Sequence, residues 1–216
     1  MEKGKIGTKT LEEKRDESIQ KILHAAMEVF AELGYEGARV DEIAKRSGVN
    51  KAMIYYRIGD KGKLYEEVIH YVFGDTVERI SKNIKDELSP EEKFKVYLEN
   101  ITKTMAEHPP LPRIMMREIA SGWTNFSEAI VKDISGILVI IKGIIDDGVR
   151  KGVFIDINPI VVHLMAIGTI LLFNLSMPVR QNFYHLLEGK IDVPKDASFE
   201  HILPDIEKMM LRALKA

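Results

Sequence analysis

Cysteine is absent from the 216 residues, which excludes a disulfide frame, a thiol nucleophile and any zinc site built on thiolates. The six histidines, His24, His70, His108, His163, His185 and His201, are scattered. None forms H-E-x-x-H, and E-x-x-H does not recur as the pair a bundle di-iron site needs. No G-x-S-x-G and no phosphate-cradling glycine loop appears either, so no residues stand ready to carry an enzyme reaction, a metal or a cofactor. Internal repeats, low-complexity tracts and a charged-apolar-small leader are also missing, and the expected compartment is the cytoplasm. The longest apolar run, Ile160 to Met177, is eighteen residues, the length at which a membrane span enters consideration. His163, Gly168, Thr169, Asn174 and Ser176 interrupt it and no basic flank stands near Pro159, so it reads as a buried helix and no membrane partner is expected.

What is present fits a small helical protein. Hydrophobic residues make up 45% of the chain, enough to fill a core. Met1 to Lys9 alternate lysine with glycine and read as a frayed end. From Ile19 the residues Ile22, Leu23, Ala26, Val29, Phe30 and Leu33 keep a three-four spacing, and Gly34 ends the run.

The stretch Gly34 to Leu64, GYEGARVDEIAKRSGVNKAMIYYRIGDKGKL, spells two short helices joined by a glycine turn. Gly48 is the turn and needs positive φ, Val49 plugs the corner, and Asn50 caps the second helix. On that helix Ile54 and Ile58 face inward one turn apart, while Lys51, Ala52, Tyr55 and Tyr56 look outward. Two outward tyrosines beside a lysine suit base edges, thymine methyls and phosphates. Periodicity alone leaves a plain αα-hairpin equally open. Between Arg39 and Lys63 seven basic residues face three acidic ones, a local charge of +4 in a chain of net charge −2. Nonspecific attraction to DNA is therefore modest, and tight binding calls for two copies of the motif.

The order G-Y-E-G, I-A-x-x-S-G-V, x-I-Y-Y and D-K-x-x-L, spanning roughly Lys14 to Asp75, resembles the DNA-binding domain of the TetR family of one-component bacterial regulators. The resemblance implies an all-α fold of about nine helices. A three-helix helix-turn-helix domain over 14–75 would be followed by an effector-binding and dimerisation domain over 76–216. It also implies that Lys51, Ala52 and Tyr55 approach bases while Tyr56 and Lys61 hold phosphates. Three departures stand out. Arg39 takes the place of the usual Ser or Thr cap and could serve as an added backbone clamp. Arg57 and Ile58 replace common aromatics, and Gly62 replaces a usual acidic residue. These departures are the support for an alternative, a helical ligand- or partner-binding protein whose reader is vestigial.

Beyond Asp75 the pattern stays helical. One helix runs from Lys61 to Glu87, and Ser89-Pro90 starts the next, which stops at His108. A short helix follows from Arg113 to Ser121, and a long one from about Phe126 to Lys151. Another opens at Asn158-Pro159 and ends near Pro178, and a last one is capped by Ser198. The resemblance assigns about 159–177 and 198–215 to a homodimer bundle. Between them lies the expected pocket for a small, hydrophobic effector, with Met105, Met115, Met116, Trp123, Phe126 and Phe173 as lining. Arg113, Arg117 and His163 are candidates to orient an acidic head group. The implied function is a homodimeric repressor released from a double-stranded, near-palindromic operator by that effector.

Overall fold

The computed structural model describes residues 11–191, 194 and 198–216; the expected frayed end, Met1 to Lys9, lies outside them. The described residues contain ten α-helices, one 3-10 turn and no strand. They divide into two compact units, one ending at Val68 and the other starting at Ile69.

The first unit holds α1 (Leu11–Gly37), α2 (Val40–Ser47), α3 (Lys51–Arg57) and the start of α4 (Lys61–Asn83). Gly34 breaks α1 with φ +72°, a conformation that costs a residue without Cβ little. The apolar stripe of α1 buries Ile22, Ala26, Val29 and Phe30, and Ile43 of α2, Ile54 of α3 and Leu64 and Tyr65 of α4 are buried in the same unit. Phe30 and Tyr35 both set their rings edge-on to Tyr65, at 4.8 and 5.2 Å. Arg46 grips both carboxylate oxygens of Glu32 and bonds Glu42, tying α2 to α1.

The second unit takes up α4 at Ile69 and adds α5 (Pro90–Glu107), α6 (Leu111–Ser121), α7 (Glu128–Arg150), α8 (Pro159–Leu175), α9 (Met177–Leu187), the turn Phe199–His201 and α10 (Leu203–Leu214). Ser89 and Glu92 close a reciprocal capping box at the start of α5. Asn158 caps α8. Near the C-terminus, Ile155 N–H donates to the Leu214 carbonyl at 2.8 Å and Ala216 N–H to Val153 at 3.1 Å. Lys93 of α5 reaches Asp147 of α7 at 3.0 Å, and Arg150 and Lys151 bond the same carboxylate. Those three cations hold its pKa well below the ordinary aspartate range.

Three expectations need correction. The helix count is ten among the described residues, because α8 ends near Pro178 as expected but a further helix follows it. A sharp bend of 70° separates α8 from a further helix, α9, in which Pro178 sits in the first turn, where its missing N–H costs nothing. The helix expected to run to Glu87 ends at Asn83. Ser198 caps the 3-10 turn rather than α10. Among the described residues no single helix is long and apolar enough to cross a membrane; only the bent α8–α9 pair has the length and composition.

Candidate nucleic-acid interface and internal cavity

The turn between α2 and α3 is built by Gly48 at φ +68°, and Asn50 then starts α3 by accepting the Ala52 N–H at 2.8 Å. With Ile54 wholly buried beneath it, α3 turns Lys51, Ala52, Met53, Tyr55 and Tyr56 outward, Tyr56 being 84% exposed. Ile58 is half-buried and lies just past the helix end. Lys51 Nζ bonds Asp41 at 2.8 Å and stands 5.9 Å from the Tyr55 ring centre. The Asp41 bond raises the pKa of the ammonium. Arg39 is exposed at the start of α2 and makes no capping bond there. Lys61 is half-buried and donates to the Tyr35 carbonyl at 2.9 Å and the Glu36 carbonyl at 3.5 Å, with its Nζ 4.4 Å from the Tyr35 ring centre. An ammonium has three protons, so one remains. Met53 and Asp41 are neighbours of this surface that sequence reasoning passed over.

The second unit holds a partly open cavity of about 220 Å³ among α4, α5, α6, α7 and α8. Four predicted residues line it: Met105, Met115, Trp123 and His163. Met116, Arg117, Phe126 and Phe173 are not in its wall. Phe126 packs against Trp123 at 4.8 Å, Arg117 is exposed, and Phe173 lies under the Arg180 guanidinium at 4.0 Å. The rest of the wall is chiefly aliphatic, with Ile101, Ile134, Leu138, Leu164 and Ile167 among residues that looked like ordinary core. Trp123 takes φ +63° directly after Gly122, an uncommon conformation for a bulky residue. Its N–H bonds the Glu118 carbonyl at 2.8 Å.

Comparison with known families bears on both halves of the chain. The family model described as "Bacterial regulatory proteins, tetR family" matches residues 22–68, and the one described as "YsiA-like protein, C-terminal region" matches residues 70–186. The chain belongs to the TetR family. As a TetR-family protein it is a DNA-binding transcriptional regulator, not an enzyme. Its relatives include the fatty acid metabolism regulator protein of Bacillus subtilis, 28% identical over 66% of this chain and 73% of that protein. They also include the transcriptional repressor NicS of Pseudomonas putida, 29% identical over 65% of this chain and 68% of that one. Among solved structures, the regulator FadR from Bacillus subtilis in complex with stearoyl-CoA shares the fold. Its TM-score is 0.67 and its identity 22%, over 90% of this chain and 98% of that chain. In the TetR-family frame α2 and α3 form the helix-turn-helix.

Proposed function

We propose that this TetR-family regulator is a cytoplasmic homodimeric repressor that leaves a near-palindromic operator when a long, apolar acyl ligand fills the cavity of the second unit. The observation that carries the ligand part is the cavity itself, walled almost wholly by aliphatic and aromatic side chains. The relative that regulates fatty acid metabolism and the fold neighbour bound to stearoyl-CoA support the same ligand class.

Lys51, Ala52 and Tyr55 approach base edges, and Tyr56, Arg39 and the remaining Lys61 proton hold phosphates. The two α3 helices of a dimer enter successive major grooves about 34 Å apart. Support for the dimer comes from α8, whose Ile160, Val161, Leu164, Met165 and Leu172 are exposed, and from exposed Met209 on α10; apolar surface of this kind belongs to an interface. Helix α4 carries Lys61 in its first turn and, further along, Phe73 and Thr76 of the cavity wall. A ligand that prefers a shifted α4 weakens DNA binding by the same factor, a coupling of about 1–3 kcal/mol.

The test is selection of bound sequences from a random DNA pool, sizing of the complex on the winning site, and titration with stearoyl-CoA. A near-palindrome bound by a dimer and released by the acyl ligand is expected. Absence of enrichment, or an operator affinity that the acyl ligand leaves unchanged, overturns the corresponding half of the proposal.

A further inference from the structure

Besides the Trp123 indole at its half-exposed edge, the cavity wall contains three polar side chains, Thr76, Thr104 and His163, and of these three only one has a proton to spare. Thr76 Oγ1 lies 2.7 Å from the Val72 carbonyl and 2.8 Å from Thr104 Oγ1. Thr104 donates to the Asn100 carbonyl at 3.0 Å and accepts from Arg79 at 2.6 Å. Each hydroxyl carries a single proton, and the protein already uses both.

His163 differs. Its Nδ1 lies 2.6 Å from the Tyr97 hydroxyl, which belongs to a wholly buried side chain. Burial raises the pKa of that phenol and lowers that of the imidazole, so both groups are neutral. The tautomer follows from proton counting. The phenol has one O–H, and among the described residues Nδ1 is the acceptor it meets. Were Nδ1 protonated, the ring would donate to the phenol oxygen and leave that O–H buried without a partner, at a cost of about 1–3 kcal/mol. Tyr97 therefore donates to Nδ1, and the proton of the ring sits on Nε2. That N–H has no partner among the described residues.

We propose that His163 is a specificity-determining residue of the cavity: its Nε2–H donates to an uncharged oxygen acceptor on the apolar ligand, a carbonyl of the ester, thioester or ketone kind. This rests on the cavity being the effector site. A carboxylate is disfavoured there, because the wall offers a neutral donor and no cation to a buried anion. Tyr97 acts through His163 as a positioning residue, since it fixes which nitrogen bears the proton.

The test compares a straight-chain alkane, the methyl ketone and the carboxylate of one chain length, short enough to dissolve. Binding is read from the fluorescence of Trp123, the single tryptophan of the chain and part of the cavity wall. In the wild-type protein the ketone binds about tenfold more tightly than the alkane, the worth of one such hydrogen bond. His163→Leu abolishes that ratio and leaves alkane affinity unchanged or improved. His163→Gln, which keeps an N–H donor, retains part of it. Tyr97→Phe shrinks it with the imidazole still in place, which a purely space-filling role for His163 would not produce. A ratio near one in the wild type, a ratio that survives His163→Leu, or tighter binding of the carboxylate overturns the role of His163 while leaving the cavity as the effector site. Failure of all three ligands to bind overturns the effector site and the role of His163 together.

Discussion

Lys61 is asked to do two things at once, and a single substitution separates them. Its ammonium donates to the two carbonyls that follow the break in α1 and lies 4.4 Å from the centre of the Tyr35 ring. A charge-assisted bond to a carbonyl contributes about 1.5 kcal/mol and a partly exposed cation–π contact about 0.5 kcal/mol. Lys61→Met keeps the aliphatic stem and should cost about 2 kcal/mol, which for a chain of this size lowers Tm by about 6 °C. The third proton of the ammonium is the one proposed for a phosphate. Losing one phosphate contact in each subunit reduces the slope of log affinity against log salt by about 0.9 per subunit. Thermal melts of the free protein and operator titrations at several salt concentrations measure the two effects independently. Lys61→Arg should keep the salt slope and lose part of the stability, because a planar fork does not repeat the ammonium geometry. An unchanged Tm in Lys61→Met would show that the bonds to Tyr35 and Glu36 contribute nothing. A lowered Tm with an unchanged salt slope would show that Lys61 only holds the end of α1 and touches no phosphate.

Three other perturbations have definite expected outcomes. Asp147→Asn should cost about 2 kcal/mol at neutral pH, since it leaves Lys93 nearly buried without its carboxylate. Because the folded pKa of Asp147 is depressed, its contribution is complete above the unfolded value of about 4 and drains as the pH falls below it. Urea midpoints taken from about pH 6 down to about pH 3 should therefore begin to draw together for wild type and variant below about pH 4, and parallel curves would refute the assignment. Gly148→Ala would place a Cβ 2.0 Å from Cδ2 of the buried Phe154 ring, whose own N–H bonds the Gly148 carbonyl at 3.1 Å. A loss of about 3 kcal/mol is expected in a thermal melt, and an unshifted melt would mean the ring has room to move. Leu172→Glu places a charge on the 61%-exposed position of α8. Sedimentation should show a monomer with unchanged helicity, and a dimer that persists removes this face of α8 from the interface.

The DNA-reading half was legible because its signals are local. Gly48, Asn50 and the spacing of Ile54 against Tyr55 and Tyr56 each act within a turn or two of chain, so periodicity and cap chemistry suffice to place them. The partners of those residues were less legible. That Asp41 would hold Lys51, and that Lys61 would reach back to the carbonyl of Tyr35, depends on how helices cross, which residue spacing does not encode. The ion-pair node divides in the same way: Arg150 and Lys151 lie three and four residues from Asp147, but Lys93 is 54 residues away. The missed α9 has a different cause. Proline both ends helices and begins them, and at Pro178 the first meaning was chosen where the second applied.

The cavity shows the limit most clearly, and α8 shows why. Its sequence is apolar all round, which by composition means burial on every side. Yet three environments share the helix: Val162, Ala166 and Ile170 are buried, Ile167 and Leu171 line the cavity, and Val161, Met165 and Leu172 are exposed. Ile160 and Leu164 belong to two of these at once, being exposed and part of the cavity wall. Hydrophobicity is the same quantity in all three places, so no reading of composition can separate core, cavity wall and exposed face. What separates them is which neighbouring helix stands opposite. Met115 and Trp123 of α6 and the loop after it fall on the cavity wall, whereas Met116 and Phe126, one and three positions along, do not. The residue that breaks the uniformity is His163, a polar group whose bond to Tyr97 spans 66 residues. In a wall that is otherwise mostly apolar, that bond carries the proposed ligand discrimination, and only the folded chain brings its two ends together.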